Sequence, residues 1–310
     1  NMKKFLLLLS MMIFMVACGG DSKGGEIAIN LRTEPSSIDP QITTDIAGGT
    51  VDDLVMEGLL RKDKNGKSVA GLAEKWESTP DGLKWTFHLR DGLKWSNGDP
   101  ITAKDFRAGW LRALDSETKS GNANLLYPIK NEEAFNLKKV SADEVGIKVI
   151  DDKTLEVTLE APTPYFDDLV TFKAYMPLNE KFYGEVKDKY FMEADKTISS
   201  GPYLLKEWVR NSRFVFEKNP NYWDAKNVKT DKIVLKQIDS KVAGSNFKNG
   251  EVDVTAVSFD QSNEFKGKPE LVQANDGGMW YLLFNTNVKP LNNAKVRKAI
   301  SMAINKEELV

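Results

Sequence analysis

Residues 81–106 read DGLKWTFHLRDGLKWSNGDPITAKDF, and apolar and polar side chains alternate through the first part of this stretch. Trp85, Phe87 and Leu89 fall on one face of a predicted strand, and the polar residues between them fall on the other. The Asp-Gly and Asn-Gly pairs in the stretch are typical of tight turns between strands. The first part therefore predicts a hairpin that also includes a strand around Trp76.

The end of the same stretch predicts an amphipathic helix. Thr102 can cap its first turn, and Asp105 suits the positive end of the helix dipole. Phe106, Trp110 and Leu114 then recur along one side of the helix at helical spacing.

Further elements are predicted on both sides of this stretch. Strands are predicted at Glu26–Leu31, Val145–Ile150, Thr154–Leu159, Leu204–Val209, Phe214–Lys218, Val252–Val257 and Trp280–Phe284. Helices are predicted at residues 50–60, at Ser240–Lys248, after a cap near Asn293 (with Val296, Ala299, Ile300 and Ala303 buried), and from Asn305. Because the chain ends inside the last of these, we expect the sequence to be part of a longer protein.

The N-terminal segment has the layout of an exported lipoprotein. Two lysines precede an apolar run from Phe5 to Met15, which is about half of the ~20 residues that a transmembrane helix needs. Residues 1–18 are therefore predicted to be a signal peptide, and the glycine-rich residues 19–25 a flexible tether. The sequence Val-Ala-Cys ending at Cys18 resembles the bacterial lipobox, in which the cysteine is lipidated. The alternative interpretation of this segment is a short core helix with a buried thiol. That alternative would not explain the polar, glycine-rich residues that follow Cys18.

Composition argues against several classes of protein. The 310 residues carry 43 basic and 45 acidic side chains, so no basic surface for nucleic acid is expected. His88 is the only histidine and lies on the polar face of its strand, which disfavours a zinc site or a Ser-His-Asp triad. Adjacent acidic pairs are expected by chance in a chain with this many carboxylates. We therefore expect no enzyme activity, no metal and no cofactor.

A series of motifs spread over most of the chain resembles one protein family. In order they are IDP at 38–40, MEGLL at 56–60, GLAEKW at 71–76, the stretch at 81–106, SGPY at 200–203, NPNYW at 219–223, FNTN at 284–287 and VRKAI at 296–300. The series resembles family 5, the peptide and nickel class, of the extracellular solute-binding proteins of ABC transporters. Two further motifs, WLRALD at 110–115 and APTPYF at 161–166, resemble its oligopeptide-binding branch.

The resemblance implies an α/β fold of the class II periplasmic-binding-protein type, with two lobes built from three domains and the second lobe truncated. Domain I would comprise residues 26–56 and 180–278 and lack its last part. Domain II would comprise residues 57–179, and residues 279–310 would begin domain III. Closure of the two lobes on a ligand would then be a hinge motion.

The resemblance also implies physical capture of a short peptide, without chemistry. The peptide would lie between the lobes as an added strand whose main chain pairs with the protein main chain. Position matching places Thr44, Asp45, Ile46 and Ala47 on the strand that pairs with the ligand. It places Asn122, Ala256, Val257, Ser258, Trp280, Tyr281 and Leu283 along the cleft. Asn122 stands near the place of a tyrosine in the family, which leaves the peptide preference open.

The nearest alternative is the same kind of protein with another solute, namely a dipeptide, a nickel complex or haem. An extracellular hydrolase and a purely structural surface lipoprotein are the alternatives from other classes. The expected partners are short peptides and the permease subunits of an ABC importer. We expect a monomer that is exported, touches the membrane through its lipid anchor only, and resides on the outer face of the cell membrane or in the periplasm.

Overall fold

A computed structural model of the chain describes residues 25–273 and 281–309. The chain divides into two compact units, one ending at Ser258 and the other beginning at Phe259. The predicted signal peptide, the lipidation site at Cys18 and almost all of the tether lie outside the described residues. Within the described ranges, no helix is both long and apolar enough to cross a membrane.

The first unit contains ten strands and six α-helices within its described part. The strands are β1 (Glu26–Asn30), β2 (Leu60–Lys62), β3 (Ser68–Ala70), β4 (Ala73–Ser78), β5 (Lys84–Leu89), β6 (Ile147–Asp151), β7 (Thr154–Thr158), β8 (Tyr203–Val209), β9 (Arg213–Lys218) and β10 (Lys232–Lys236). The helices are α1 (Ile46–Val55), α2 (Ala103–Leu114), α3 (Glu132–Asn136), α4 (Phe166–Leu169), α5 (Glu180–Val186) and α6 (Ala243–Lys248). Short 3-10 helices cover Ala123–Leu126, Ala142–Glu144, Lys173–Tyr175, Lys187–Lys189, Ala194–Lys196 and Ala225–Asn227.

One four-stranded sheet joins the start of the chain to residues 203–236, in the order β1-β10-β9-β8. β1 pairs with β10 in parallel, and the other pairs are antiparallel. The second edge of β1 is met by Val254, whose carbonyl accepts a hydrogen bond from the Asn30 amide at 2.9 Å. The first strand is therefore held on both sides by late segments of the chain.

A second four-stranded sheet has the order β4-β5-β7-β6 and is antiparallel throughout. Its buried face carries Trp85, which packs on Phe166 with ring centroids 5.6 Å apart. Tyr175 extends this cluster and meets Trp110 of α2 edge-on at 4.9 Å, while the Trp110 indole donates to the Tyr175 carbonyl at 2.6 Å. Aromatic packing of this kind fixes α2 against the segment 175–178. The β2–β3 hairpin forms a small separate sheet.

The second unit has less regular structure in its described part. It contains α7 (Phe259–Ser262) and α8 (Ala294–Ala303), with 3-10 helices at Asn263–Phe265 and Glu307–Leu309. The side chain of Asn293 caps α8 by accepting from the Lys295 amide at 2.9 Å.

Most predicted elements are confirmed to within a few residues. The strand around Trp76, the hairpin at 145–159, the strands after residue 203 and the helix after Thr102 all form. The Thr102–Asp105 capping box is present, and Phe106, Trp110 and Leu114 are fully buried.

Four predictions made from the residue pattern are wrong. The helix predicted at 50–60 spans Ile46–Val55, because its cap, Asp45, lies five residues before the predicted start. Residues 252–257 form only a single bridge, at Val254, instead of a strand. Residues 281–284 are coil and not a strand, and Trp280 lies outside the described residues. The predicted buried side of α8 is half-buried at Val296 and Ile300 and exposed at Ala299 and Ala303, since no described element of its unit covers it.

Candidate ligand-binding site

The loop before α1, residues 39–45, is held in place by a buried ion pair. Arg112 of α2 donates to both carboxylate oxygens of Asp39, and also to Gln41 at 2.9 Å. The side chains of Arg112 and Asp39 are only 12% and 6% exposed. The Gln41 amide donates in turn to the Met176 carbonyl at 3.0 Å. Because several elements hold this loop at once, its end at Thr43–Asp45 has a defined position.

Asp45 closes the loop and starts α1. Its Oδ1 accepts from the Gly48 amide at 2.7 Å, which satisfies one of the free donors at the helix N-terminus. Its Oδ2 accepts from the amide of Ser36 at 2.9 Å and from the Ser36 hydroxyl. Burial alone would raise the pKa of Asp45, but these hydrogen bonds outweigh it and lower that pKa below its usual value. Both carboxylate oxygens of Asp45 are therefore used in hydrogen bonds within the protein.

The segment 44–47 does not form the strand that the resemblance implied, and its pairing with a ligand stays a prediction. Thr44 is coil, and Ile46 and Ala47 form the first turn of α1, because the Asp45 cap commits the chain to a helix. Thr44 is exposed, Ile46 is 81% exposed, and Ala47 is buried. The surface offered to a ligand here therefore consists of Thr44, the side chain of Ile46 and the adjoining main chain.

The structure brings Asn122 to this segment. Its side-chain amide donates to the Thr43 carbonyl at 2.9 Å. Its neighbour Gly121 lies against Thr44, so close that a Cβ added at Gly121 would be 2.8 Å from the Thr44 methyl group. The segment 121–122 therefore lies against residues 43–44, although the two are far apart in sequence.

The other predicted site residues that the structure describes are mostly exposed coil. Ala256 and Ser258 are exposed coil, and Val257 is half-buried. The adjoining Thr255 hydroxyl accepts from the Asn30 side chain at 3.0 Å, which ties this coil to β1. Tyr281 and Leu283 belong to the second unit, where they are 76% and 90% exposed. Their role in binding a ligand stays a prediction.

A second buried carboxylate joins three of the sequence motifs. Glu57 of MEGLL accepts from the Tyr222 hydroxyl at 2.8 Å and from the Trp223 indole, both in NPNYW. Its main chain bonds to Ser200 of SGPY, from the Glu57 amide to the Ser200 Oγ at 2.9 Å and from that hydroxyl to the Glu57 carbonyl at 3.0 Å. Burial raises the pKa of Glu57, and the hydrogen bonds from Trp223 and Tyr222 oppose that rise. These motifs therefore form one structural joint.

Sequence reasoning missed the supporting residues Asp39, Arg112 and Glu57. All three lie inside the motifs, which was a usable signal, since a charge within an apolar motif calls for a buried partner. The sequence did not indicate which charges pair. Their partners became known only when the fold brought the motifs together.

The described arrangement offers hydrogen-bonding groups and apolar surface. His88, the only histidine, bonds through Nε2 to Glu77 Oε1 at 2.7 Å on the surface of the β4–β5 hairpin. No cluster of His, Cys, Asp and Glu that could hold a metal ion occurs in the described ranges 25–273 and 281–309.

Comparison with known proteins agrees with the motif series. Residues 67–310 match the family model described as bacterial extracellular solute-binding proteins, family 5 Middle. This chain belongs to that family of extracellular solute-binding proteins. The predicted family is thereby confirmed.

Individual relatives are similar over nearly the whole chain. The oligopeptide-binding protein OppA of Bacillus subtilis is 38% identical over 99% of this chain and 60% of its own length. The dipeptide-binding protein DppE of the same organism is 37% identical over 91% of this chain and 52% of its own length. A solved structure, Listeria monocytogenes OppA bound to peptide, is 35% identical with a TM-score of 0.76, over 80% of this chain and 49% of that one. The α/β periplasmic-binding-protein fold is confirmed, and the chain spans about half the length of these relatives.

Proposed function

We propose that this chain is part of the substrate-binding component of an ABC importer, which captures short peptides outside the cytoplasm and delivers them to the membrane permease. The observation that carries the proposal is the family match over residues 67–310, together with relatives that are named for peptide binding. The protein acts by binding alone and not as an enzyme.

The proposed mechanism of peptide capture rests on the loop before α1, which ends at Thr43–Asp45. A peptide in extended form pairs with main-chain groups near Thr44, so that affinity depends little on the identity of its side chains. The exposed side chain of Ile46 contributes apolar surface beside that main chain. Side chains of the peptide enter hydrated spaces, where water adapts to each of them. Ala256, Val257 and Ser258 add further contacts.

Domain organisation and location form the remainder of the proposal. Residues 26–56 and 180–278 form domain I, residues 57–179 form domain II, and domain III begins at residue 279. Lipid on Cys18 holds the exported protein at the outer face of the membrane, where it works as a monomer. The motif joint at Glu57 supports a rigid connection between residues 56–60 and 200–223.

Native mass spectrometry of the complete protein, purified without added ligand, tests the proposal. We expect a set of bound masses that match peptides and that disappear on denaturation. Bound metal or haem in place of peptides would contradict it. So would turnover of a model substrate by the purified protein, which would indicate a hydrolase.

Dipeptide binding is the second candidate, because the dipeptide-binding relative is nearly as similar as the oligopeptide-binding one. The same spectra distinguish the two functions. Masses of two-residue peptides only would favour the second candidate, and longer peptides would favour the first.

A further inference from the structure

We infer that Asn122 is a positioning residue, which holds the Thr43–Thr44 main chain in place for peptide binding and does not itself contact the peptide. The inference rests on the proposed function and reassigns one residue of the predicted site.

The Asn122 side chain is already engaged by the protein. Its Nδ2 donates to the Thr43 carbonyl at 2.9 Å. Its main-chain amide donates to the Ser120 Oγ at 3.3 Å, and its carbonyl accepts from the Leu125 amide at 3.0 Å. These bonds direct the amide nitrogen at the loop before α1.

Thr43, which accepts the hydrogen bond from Asn122, is itself well anchored. It is 3% exposed, and its hydroxyl donates to the Asp39 carbonyl at 2.8 Å. Asp39 is itself held by Arg112, so the side chain of Thr43 is anchored to the buried ion pair. The Asn122 amide then fixes the carbonyl of Thr43 from the other side. Thr43 is thus restrained through its amide, its hydroxyl and its carbonyl, and only the restraint on the carbonyl comes from Asn122. The orientation of the next peptide unit, at Thr44, follows from these bonds.

The loop that carries Asn122 also touches Thr44. A Cβ added at Gly121 would be 2.8 Å from the Thr44 methyl group, which is closer than side-chain carbons normally approach. Glycine at this position therefore allows residues 120–122 to pack against the exposed Thr44. Since main-chain recognition needs the pairing groups in a defined position before the ligand arrives, loosening this contact weakens binding.

The first test measures peptide affinity by calorimetry in the complete protein, with several peptides of equal length and different side chains. Asn122→Ala removes one hydrogen bond to the main chain, and we expect an affinity loss of about ten-fold. The loss should be the same for every peptide, because the effect acts through main-chain groups. A loss confined to certain peptide side chains would mean that Asn122 contacts the ligand, and an unchanged affinity would also overturn the inference.

Asn136→Ala is the matched control. The Asn136 side chain likewise donates to a main-chain carbonyl, that of Leu114, at 2.7 Å, and it is part-buried in the same way. This hydrogen bond holds the end of α2 and does not involve residues 43–44. Its removal should therefore leave peptide affinity within about two-fold of the unchanged protein.

Asn122→Asp adds a pH readout. The ionised carboxylate cannot donate to the Thr43 carbonyl, and the two oxygens repel each other, so binding falls at neutral pH. Protonation of the carboxyl restores a donor. The affinity ratio between the unchanged protein and this variant should therefore narrow as the pH falls toward 4. Equal affinities at neutral pH would show that the amide donor is not needed.

Hydrogen exchange separates this inference from the proposed function. In Asn122→Ala, amides in residues 43–50 should exchange faster than in the unchanged protein, and in Asn136→Ala they should not. This comparison needs no ligand. If the unchanged protein binds no peptide at all, the proposed function fails while the restraint by Asn122 is still measured, and unchanged exchange over residues 43–50 would overturn the restraint.

Discussion

Arg112 donates two parallel hydrogen bonds to the carboxylate of Asp39, from Nη1 to Oδ1 at 2.8 Å and from Nη2 to Oδ2 at 2.6 Å. The guanidinium also lies over the rings of Tyr183 and Tyr190, at 4.9 and 5.1 Å. Two-pronged pairing of this kind fixes orientation as well as distance. These contacts therefore tie the loop before α1 to α2 and to the segment 183–190.

Arg112→Met should unfold far more easily than the unchanged protein. Removing the guanidinium leaves the buried Asp39 carboxylate without its counter-charge, which costs about 3–5 kcal/mol. Urea unfolding measures the loss. Lys104→Ala is the control, because Lys104 and Asp152 are 70% and 71% exposed and 3.3 Å apart. That exposed pair should contribute less than about 1 kcal/mol. Equal losses in the two variants would contradict the role of the buried pair.

Glu132 should make stability depend on pH. Burial raises the pKa of Glu132 well above its usual value, and neither carboxylate oxygen has a hydrogen-bond partner among the described residues. The folded state therefore keeps a proton that the unfolded chain releases near pH 4.5. Stability from this group is complete below that pH and falls as the pH rises toward the folded pKa.

Glu132→Gln should remove this dependence. Its stability advantage over the unchanged protein should grow from about pH 4.5 upward in urea unfolding at a series of pH values. Glu133→Gln, at the exposed next position of the same helix, should show no such trend. An advantage of Glu132→Gln that is constant with pH would count against a buried proton.

Asp45→Ala should weaken both α1 and peptide binding. It removes the helix cap and the bonds to Ser36, at a cost of about 1 kcal/mol in stability. Asp45→Asn should lose less, because the amide oxygen can still cap. Since the pKa of Asp45 is lowered by folding, its contribution is present above pH 3.8 and is lost as the pH falls through the folded pKa.

Asp63→Ala provides the control for binding. The Asp63 Oδ1 accepts from the amides of Asn65 and Lys67 in the β2–β3 turn, a comparable arrangement in another part of the unit. Its loss should leave peptide affinity unchanged in calorimetry. A similar fall in affinity for both variants would point to general destabilisation.

Two glycines should respond in opposite directions to alanine. A Cβ at Gly109 would lie 2.2 Å from the Met176 carbonyl oxygen, so Gly109→Ala forces α2 away from its neighbour and costs about 1–3 kcal/mol. A Cβ at Gly184 in α5 meets nothing within 4 Å. Gly184→Ala should therefore stabilise the protein by about 0.5–1 kcal/mol. Thermal unfolding of the two variants checks the signs, and a stabilised Gly109→Ala would refute the close contact.

Local patterns in the sequence predict most of the elements, because alternation and capping are local properties. The β4–β5 hairpin and α2 follow directly from residues 73–114. β10 was not predicted, although it lies between β1 and β9, since its three central apolar residues are too few to mark a strand without their neighbours. The start of α1 was missed because Gly48 and Gly49 hide the helical pattern that Asp45 begins.

The candidate site was harder to predict than the fold. Matching positions to a family named Asn122, whose side chain bonds to the Thr43 carbonyl, yet it assigned the segment 44–47 to a strand. Position matching transfers location and does not transfer backbone conformation or the direction of a hydrogen bond. The pairing of Asp39 with Arg112 depends on tertiary contact, which no local pattern encodes.

The placement of β1 also affects the order in which the molecule folds. The Ala28 amide donates to the side chain of Asp253, 225 positions away in the chain, at 2.7 Å. Closing a flexible loop of that length costs about 5 kcal/mol of chain entropy, which contacts formed earlier must reduce. β1 is thus among the last of the described strands to gain both neighbours. Until those neighbours are in place its two edges stay open, and an open strand edge is a place where chains aggregate.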